Sequence, residues 1–194
     1  MTLRVSNNEL AHSFETIMIE RFREKFPEFY QILLKREKQV IDQILPPASL
    51  AQIDEIEKQC GIPLPISYKN FLQCCRGMVL LGGRVQFGME HPFFHDFPPL
   101  ETLNKQQLRV VEMKGGSYPP ASQGMLCFAE FFMEGDGDQV LWDVSGRMND
   151  GEYPIVYYAH EDHPPSIRKL SDNFTVWLGE FLNYEEFERK DQVG

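Results

Sequence analysis

No apolar run in the sequence approaches the roughly 18 to 20 residues that a membrane helix needs, and the opening residues, Met1 to Glu9, lack a signal peptide's apolar core. A cytoplasmic location is expected. Cysteine is scarce as well. Cys60, Cys74, Cys75 and Cys127 form no Cys-x-x-Cys pair, and three of them fall on apolar helix faces or in an apolar strand. They read as reduced core thiols rather than as metal ligands or redox groups.

Basic charge is the third deficit. Nineteen Lys and Arg face 29 Asp and Glu, a formal net charge of -10, and the imbalance is local. Residues 1 to 45 hold seven basic and seven acidic side chains, so the whole deficit lies in residues 46 to 194. Within 130 to 162, nine acids (Glu130, Glu134, Asp136, Asp138, Asp143, Asp150, Glu152, Glu161 and Asp162) face the single Arg147. Such a field repels nucleic acid and anionic membranes and attracts a basic protein.

Catalytic and ligand-binding signatures are missing too. There is no Gly-x-Ser-x-Gly elbow, and Gly115-Gly-Ser117 lacks the lysine of a phosphate loop. Glu134-Gly-Asp136-Gly-Asp138 alternates acids as a calcium loop does. Begun at Asp136, however, the loop puts Val140 at a ligand position and Leu141 where glycine belongs; begun at Glu134, it closes on Ser145. His91 and His95 are separated by Pro92, and His160 and His163 run into Pro164-Pro165, so neither pair sits on the helix that a zinc site at i and i+4 needs. Hence no catalytic residue, metal or cofactor is expected, and the protein is read as a non-enzyme.

What is present is a chain of 194 residues with 42% apolar content, enough for one ordinary domain and an appendage. Residues 8 to 26 and 28 to 45 carry helical apolar stripes, with Pro27 in the first turn of the second helix. Pro46-Pro47 then breaks the pattern. Ser49-Leu-Ala-Gln52 has the spacing of a capping box, and Gly61 supplies the stop of the helix so begun. After Pro63-Leu-Pro65, the positions Tyr68, Phe71, Leu72 and Cys75 make another stripe. From Met78 the period changes to short apolar segments, 78 to 81, 84 to 87, 125 to 129, 139 to 143 and 155 to 158, separated by Gly-Gly, Gly-Asp-Gly-Asp and Ser-Gly-Arg turns. A short helix is expected from Leu100 to Met113. A last helix over Phe174, Trp177, Leu178, Phe181 and Leu182 follows Ser171 or Asp172 as its N-cap. Helices, then strands, then a helix define an α+β fold, with a mixed, mainly antiparallel sheet packed against helices. Residues 1 to 45 form an N-terminal helical extension, and 46 to 194 the α+β domain.

The order and spacing of Ile53-Asp-Glu-Ile56, Gly61-Ile-Pro-Leu-Pro65, Tyr68 with Phe71-Leu72, Gly135-Asp-Gly-Asp138 before Trp142-Asp143, and the closing 174 to 182 helix resemble the SUKH superfamily. This superfamily comprises bacterial immunity proteins and fungal cell-wall-assembly regulators. The resemblance spans about residues 46 to 186 and implies a single α+β domain that acts by binding other proteins; bacterial members neutralise toxins, often nucleases. It implies no catalytic residues. Tyr68, Phe71, Trp142 and Trp177 are expected in the core. Glu134, Asp136, Asp138, Glu161 and Asp162 are the candidate partner-binding residues, facing either a basic toxin or, for a regulatory scaffold, endogenous partners.

Overall fold

The computed structural model describes residues 16–80, 85–88, 124–131, 139–159 and 162–181. Residues 16–20 are helical and 21–25 turn. They lead into helix α1 (Pro27–Val40) and strand β1 (Ile41–Ile44). Helices α2 (Leu50–Cys60) and α3 (Ile66–Cys74) come next. Strands β2 (Gly77–Leu80), β3 (Val85–Gly88), β4 (Met125–Phe131), β5 (Gln139–Asp143), β6 (Ile155–Ala159) and β7 (Ser166–Ser171) follow, and helix α4 (Phe174–Glu180) closes the series. The fold is α+β. Every pairing among the described strands is antiparallel, in the order β1 to β7, so the sheet is a meander with no parallel pair in it.

Local signals place most boundaries. Ser49 accepts from the Gln52 backbone N–H while Gln52 accepts from the Ser49 N–H, a complete capping box, and Gly61 ends α2 at φ 70. Pro27 opens α1, where its missing N–H costs nothing. In the middle of the sheet, β4, β5 and β6 are buried on both faces over almost their full described length, which is why they read as near-continuous apolar runs.

Three expectations are corrected, and one strand, β7, was not expected at all. The helix over 28 to 45 stops at Val40, and Ile41–Ile44 pairs with β2 as an edge strand. The helix expected over 8 to 26 gives way to a turn at 21–25, its residues 8 to 15 lying outside the described ones; Met18, Ile19, Phe22 and Phe26 are buried and Ile17 is exposed. Strand β7 carried no recognisable sequence signal. Finally, α4 is capped by Asn173, whose side chain accepts from the Val176 N–H, because Ser171 is still the last residue of β7. The expected helix at 100 to 113 and the Gly-Gly and Gly-Asp-Gly-Asp turns lie outside the described residues.

Both edge strands carry an extra residue that interrupts their ladder, Asp42 in β1 and Leu170 in β7. Exposed charges, Asp42 on one edge and Arg168 and Lys169 on the other, accompany the bulges. Bulges and charges on an edge both oppose strand addition by another chain, so recognition through a free sheet edge is disfavoured at either end.

One face of the sheet packs on the helices. Between them lies an aromatic core centred on Phe128, which is the extra residue of a bulge in β4: Cys127 pairs with Leu141 and Ala129 with Val140. The bulge turns Phe128 and Ala129 to the same helix-facing cluster. There the Phe128 ring meets Trp142 at 4.4 Å, Trp177 at 5.2 Å, Phe174 at 5.6 Å and Tyr68 at 6.0 Å. Met125, Cys127, Leu141, Val156 and Tyr158 form a second cluster on the opposite face.

Candidate partner-binding surface and its anchor

Helix α3 begins without a capping side chain of its own. Pro65 occupies the N-cap position and makes no side-chain cap hydrogen bond, so the first backbone N–H groups need acceptors from elsewhere. The connection between β5 and β6 supplies them. Asp150 (φ 50) and Gly151 (φ 80) form a two-residue reversal, closed by Asn149 N–H to Glu152 O at 3.0 Å and Glu152 N–H to Asn149 O at 2.9 Å. Positive φ at both central residues is the type I′ geometry that Asp-Gly suits. The turn presents Gly151 O to the Ile66 N–H at 3.0 Å. The Glu152 carboxylate accepts from the Ser67 N–H at 2.8 Å and from the Ser67 hydroxyl at 2.5 Å. A glutamate 85 positions away thus caps the helix, and its negative charge lies at the favourable end of the helix dipole.

The other side of the Gly61 to Pro65 link is held by Glu57. Its carboxylate accepts from the Leu64 N–H at 2.7 Å and pairs with Lys69 at 2.8 Å, both side chains being half-buried. Two glutamates therefore fix the entry of α3. That entry aims Tyr68, Phe71 and Leu72, all fully buried, into the aromatic core, where Tyr68 meets Trp142 edge-on at 4.6 Å. Trp142 and Trp177 are buried likewise.

Cys74 and Cys75 close α3 as buried thiols, and Cys127 is a buried thiol in β4. Burial pushes the Cys74 thiol up to about 11, against a smaller opposing pull from the Lys25 and Arg21 charges, and burial also holds the Cys75 thiol well above its ordinary value. Both stay protonated and unreactive at neutral pH. Among the described residues, no group of three His, Cys, Asp or Glu side chains is placed to hold a metal ion, and no helix is long and apolar enough to cross a membrane.

The candidate acids divide into three groups. Glu134, Asp136, Asp138 and Glu161 lie outside the described residues. Asp162 is exposed and accepts a hydrogen bond from the Ser166 hydroxyl. The others with described side chains sit elsewhere: Asp143 accepts from the Ser145 N–H at 3.1 Å and hydroxyl at 2.5 Å, Asp150 is exposed in the reversal, and Glu152 is committed to α3. Antiparallel register also separates them by place. Phe131, Gln139, Ala159 and Ser166, the strand ends from which the 132–138 and 160–165 connections leave, lie at one end of the sheet, and Asp143 and Ile155 at the other. Sequence counting treated Glu152 as one more surface charge. The available hint was Pro-x-Pro itself, which starts a helix with no hydroxyl or carboxylate to cap it.

An antiparallel meander on one side, and helices whose motif residues are spent on caps and ring packing on the other, define an α+β domain. A family model described as SMI1 / KNR4 family (SUKH-1) matches residues 47–180, more than half of the 194 residues, and the chain belongs to that family. No curated protein matches the chain.

Proposed function

We propose that the protein is a non-enzymatic, cytoplasmic protein-binding module of immunity type. It neutralises a cognate toxin by covering a basic surface with its own acidic face. A nuclease is the toxin class such a face suits, because a nucleic-acid cleft is basic and carboxylates imitate phosphate charge. The observation that carries this reading is the charge distribution of residues 130 to 162, nine acids against one arginine. Two of those acids, Asp143 and Glu152, accept hydrogen bonds within the fold; of the remaining seven we assign the role to Glu134, Asp136, Asp138, Glu161 and Asp162. Family membership supports an immunity or regulatory role in general.

The test is kinetic. Exposed charges act through long-range attraction that salt screens over about 8 Å at physiological ionic strength, so they govern association more than dissociation. With a toxin encoded beside this gene as the partner, the triple variant Glu134→Gln, Asp136→Asn, Asp138→Asn is expected to associate more slowly, most of all at low salt. An unchanged rate and an unchanged salt slope would refute the acidic face. Failure of any adjacent toxin to bind, together with specific binding of an endogenous host protein, would assign the protein to the regulatory class instead.

A further inference from the structure

Both faces of the central sheet are buried, but the described helices account for one of them only. The buried apolar side chains of residues 16–20 and of α1, α2, α3 and α4 all belong to the cluster that holds Phe128 and Trp142. The opposite cluster consists of Met125, Cys127, Leu141, Val156 and Tyr158, residues of β4, β5 and β6 alone, with Ile167 of β7 packed against it. Register extends this second face. Backbone pairing runs from Val79 through positions 86 and 130 to Gln139, Tyr158 and Ile167, which puts Val79 and Gln139 on the side of Tyr158. There Val79, Cys127 and Leu141 have no exposure, Gln139 keeps 1% and Tyr158 6%. Water is thus kept off the face from β2 to β6 by something other than a described element. At β7 the cover ends, since Lys169, opposite Val156, is exposed.

We infer that residues 89–123, which lie outside the described ones, form a third layer on this face. Length singles the stretch out. It joins β3 to β4, two paired neighbours that a hairpin loop of about 2 to 5 residues would connect, yet it has 35 residues. The other stretches outside the description that interrupt the sheet, 81–84, 132–138 and 160–161, are short. Residues 1–15 and 182–194 adjoin elements on the helix side. Composition supplies a contact surface: Leu100, Leu103, Leu108 and Val111, at i, i+3, i+8 and i+11, fall on one side of a helix. Dimensions match as well. A helix over 100 to 113 is about 21 Å long at about 1.5 Å per residue, and five strands about 4.8 Å apart span about 19 Å. The apolar outer face is therefore filled by the chain itself, and a protein partner is met elsewhere on the surface. This placement is independent of the toxin reading.

The Cys127 thiol reports on the layer, since it lies on the outer face while Cys74 and Cys75 lie on the helix side. In the native full-length protein all three are expected to react slowly with iodoacetamide, followed thiol by thiol by peptide mass spectrometry. Leu103→Asp with Val111→Asp, in the full chain, should speed the reaction of Cys127 on the order of tenfold or more and leave Cys75 unchanged. An unchanged Cys127 rate in a folded variant would overturn the inference. Two results in the unaltered protein would do the same: Cys127 labelling that accelerates on dilution, which makes a second copy the cover, and rapid labelling at every concentration, which makes the face open. Should the variant unfold, cross-linking of the unaltered protein decides. A short amine-reactive reagent is expected to join Lys105 or Lys114 to Lys169 of β7 within one chain. Links from them to Lys25 or Lys69 on the helix side, or none to Lys169, would overturn the third layer.

Discussion

Removal of the Glu152 carboxylate tests the central structural argument most directly. Its oxygens accept two hydrogen bonds from Ser67, at 2.8 Å from the backbone N–H and at 2.5 Å from the hydroxyl. A hydrogen bond to a charged group contributes about 1.5 to 3 kcal/mol, which gives a combined range of about 3 to 6 kcal/mol for the pair. Glu152 is only half-buried, so water replaces part of what is lost, and Glu152→Ala is expected to cost about 2 to 4 kcal/mol. Glu152→Gln keeps one acceptor oxygen and should cost about half as much. Ser67→Ala removes the hydroxyl bond alone, at about 1 kcal/mol. Because the two residues share that bond, the double variant should fall short of additivity by roughly 0.5 to 1.5 kcal/mol. Equilibrium urea unfolding, followed by tryptophan fluorescence, measures all four proteins, since Trp142 and Trp177 both lie in the core that α3 enters. A Glu152→Ala cost within about 0.5 kcal/mol of zero, the value for an ordinary surface change, would refute the capping argument. So would full additivity with Ser67→Ala.

Gly151→Ala should destabilise by about 1 to 3 kcal/mol, because φ is 80 and an added Cβ would lie 2.3 Å from Ile66 Cδ1; Gly146→Ala, with open space around it, should stay within about 0.5 kcal/mol, and equal costs in thermal melts would contradict the assignment. Phe128→Ala, Phe71→Ala and Trp177→Ala should each cost about 3 to 5 kcal/mol, and native stability in any of them would remove that ring from the core. Burial holds the Cys74 thiol at about 11 against an ordinary 9.0, so its neutral form favours the fold: this contribution is complete below pH 9.0 and is lost as pH rises towards 11. Cys74→Ala should flatten the fall of stability across that window, and identical slopes in variant and parent would refute it.

Legibility in the sequence followed the reach of each signal. The capping box at Ser49 and Gln52, the left-handed stop at Gly61 and the opening of α1 at Pro27 depend on contacts within a few residues, and each stands where the sequence puts it. The central strands were legible because burial on both faces leaves unbroken apolar runs. The two edge strands were not. Asp42 and Gln43 in β1, and Arg168 and Lys169 in β7, interrupt any apolar alternation, since an edge strand is paired on one side and charged against further pairing. Val40, Ile41 and Ile44 also fit the stripe of the preceding helix, and only pairing with Met78, Val79 and Leu80 makes residues 41–44 a strand.

By itself the sequence determined the fold class, the family, the breaks between elements and the aromatic positions, all of which arise from local chemistry or from the polarity of single residues. Tertiary structure alone decided that Glu152 caps α3, that a bulge turns Phe128 into the ring cluster, and that the N-terminal segment packs its rings on those of α3 and α4. Each of these joins groups far apart in the chain, 85 residues in the case of Ser67 and Glu152. A carboxylate reads the same in sequence whether it faces water or a helix N-terminus. The difference is set by which backbone donors the fold leaves unsatisfied beside it.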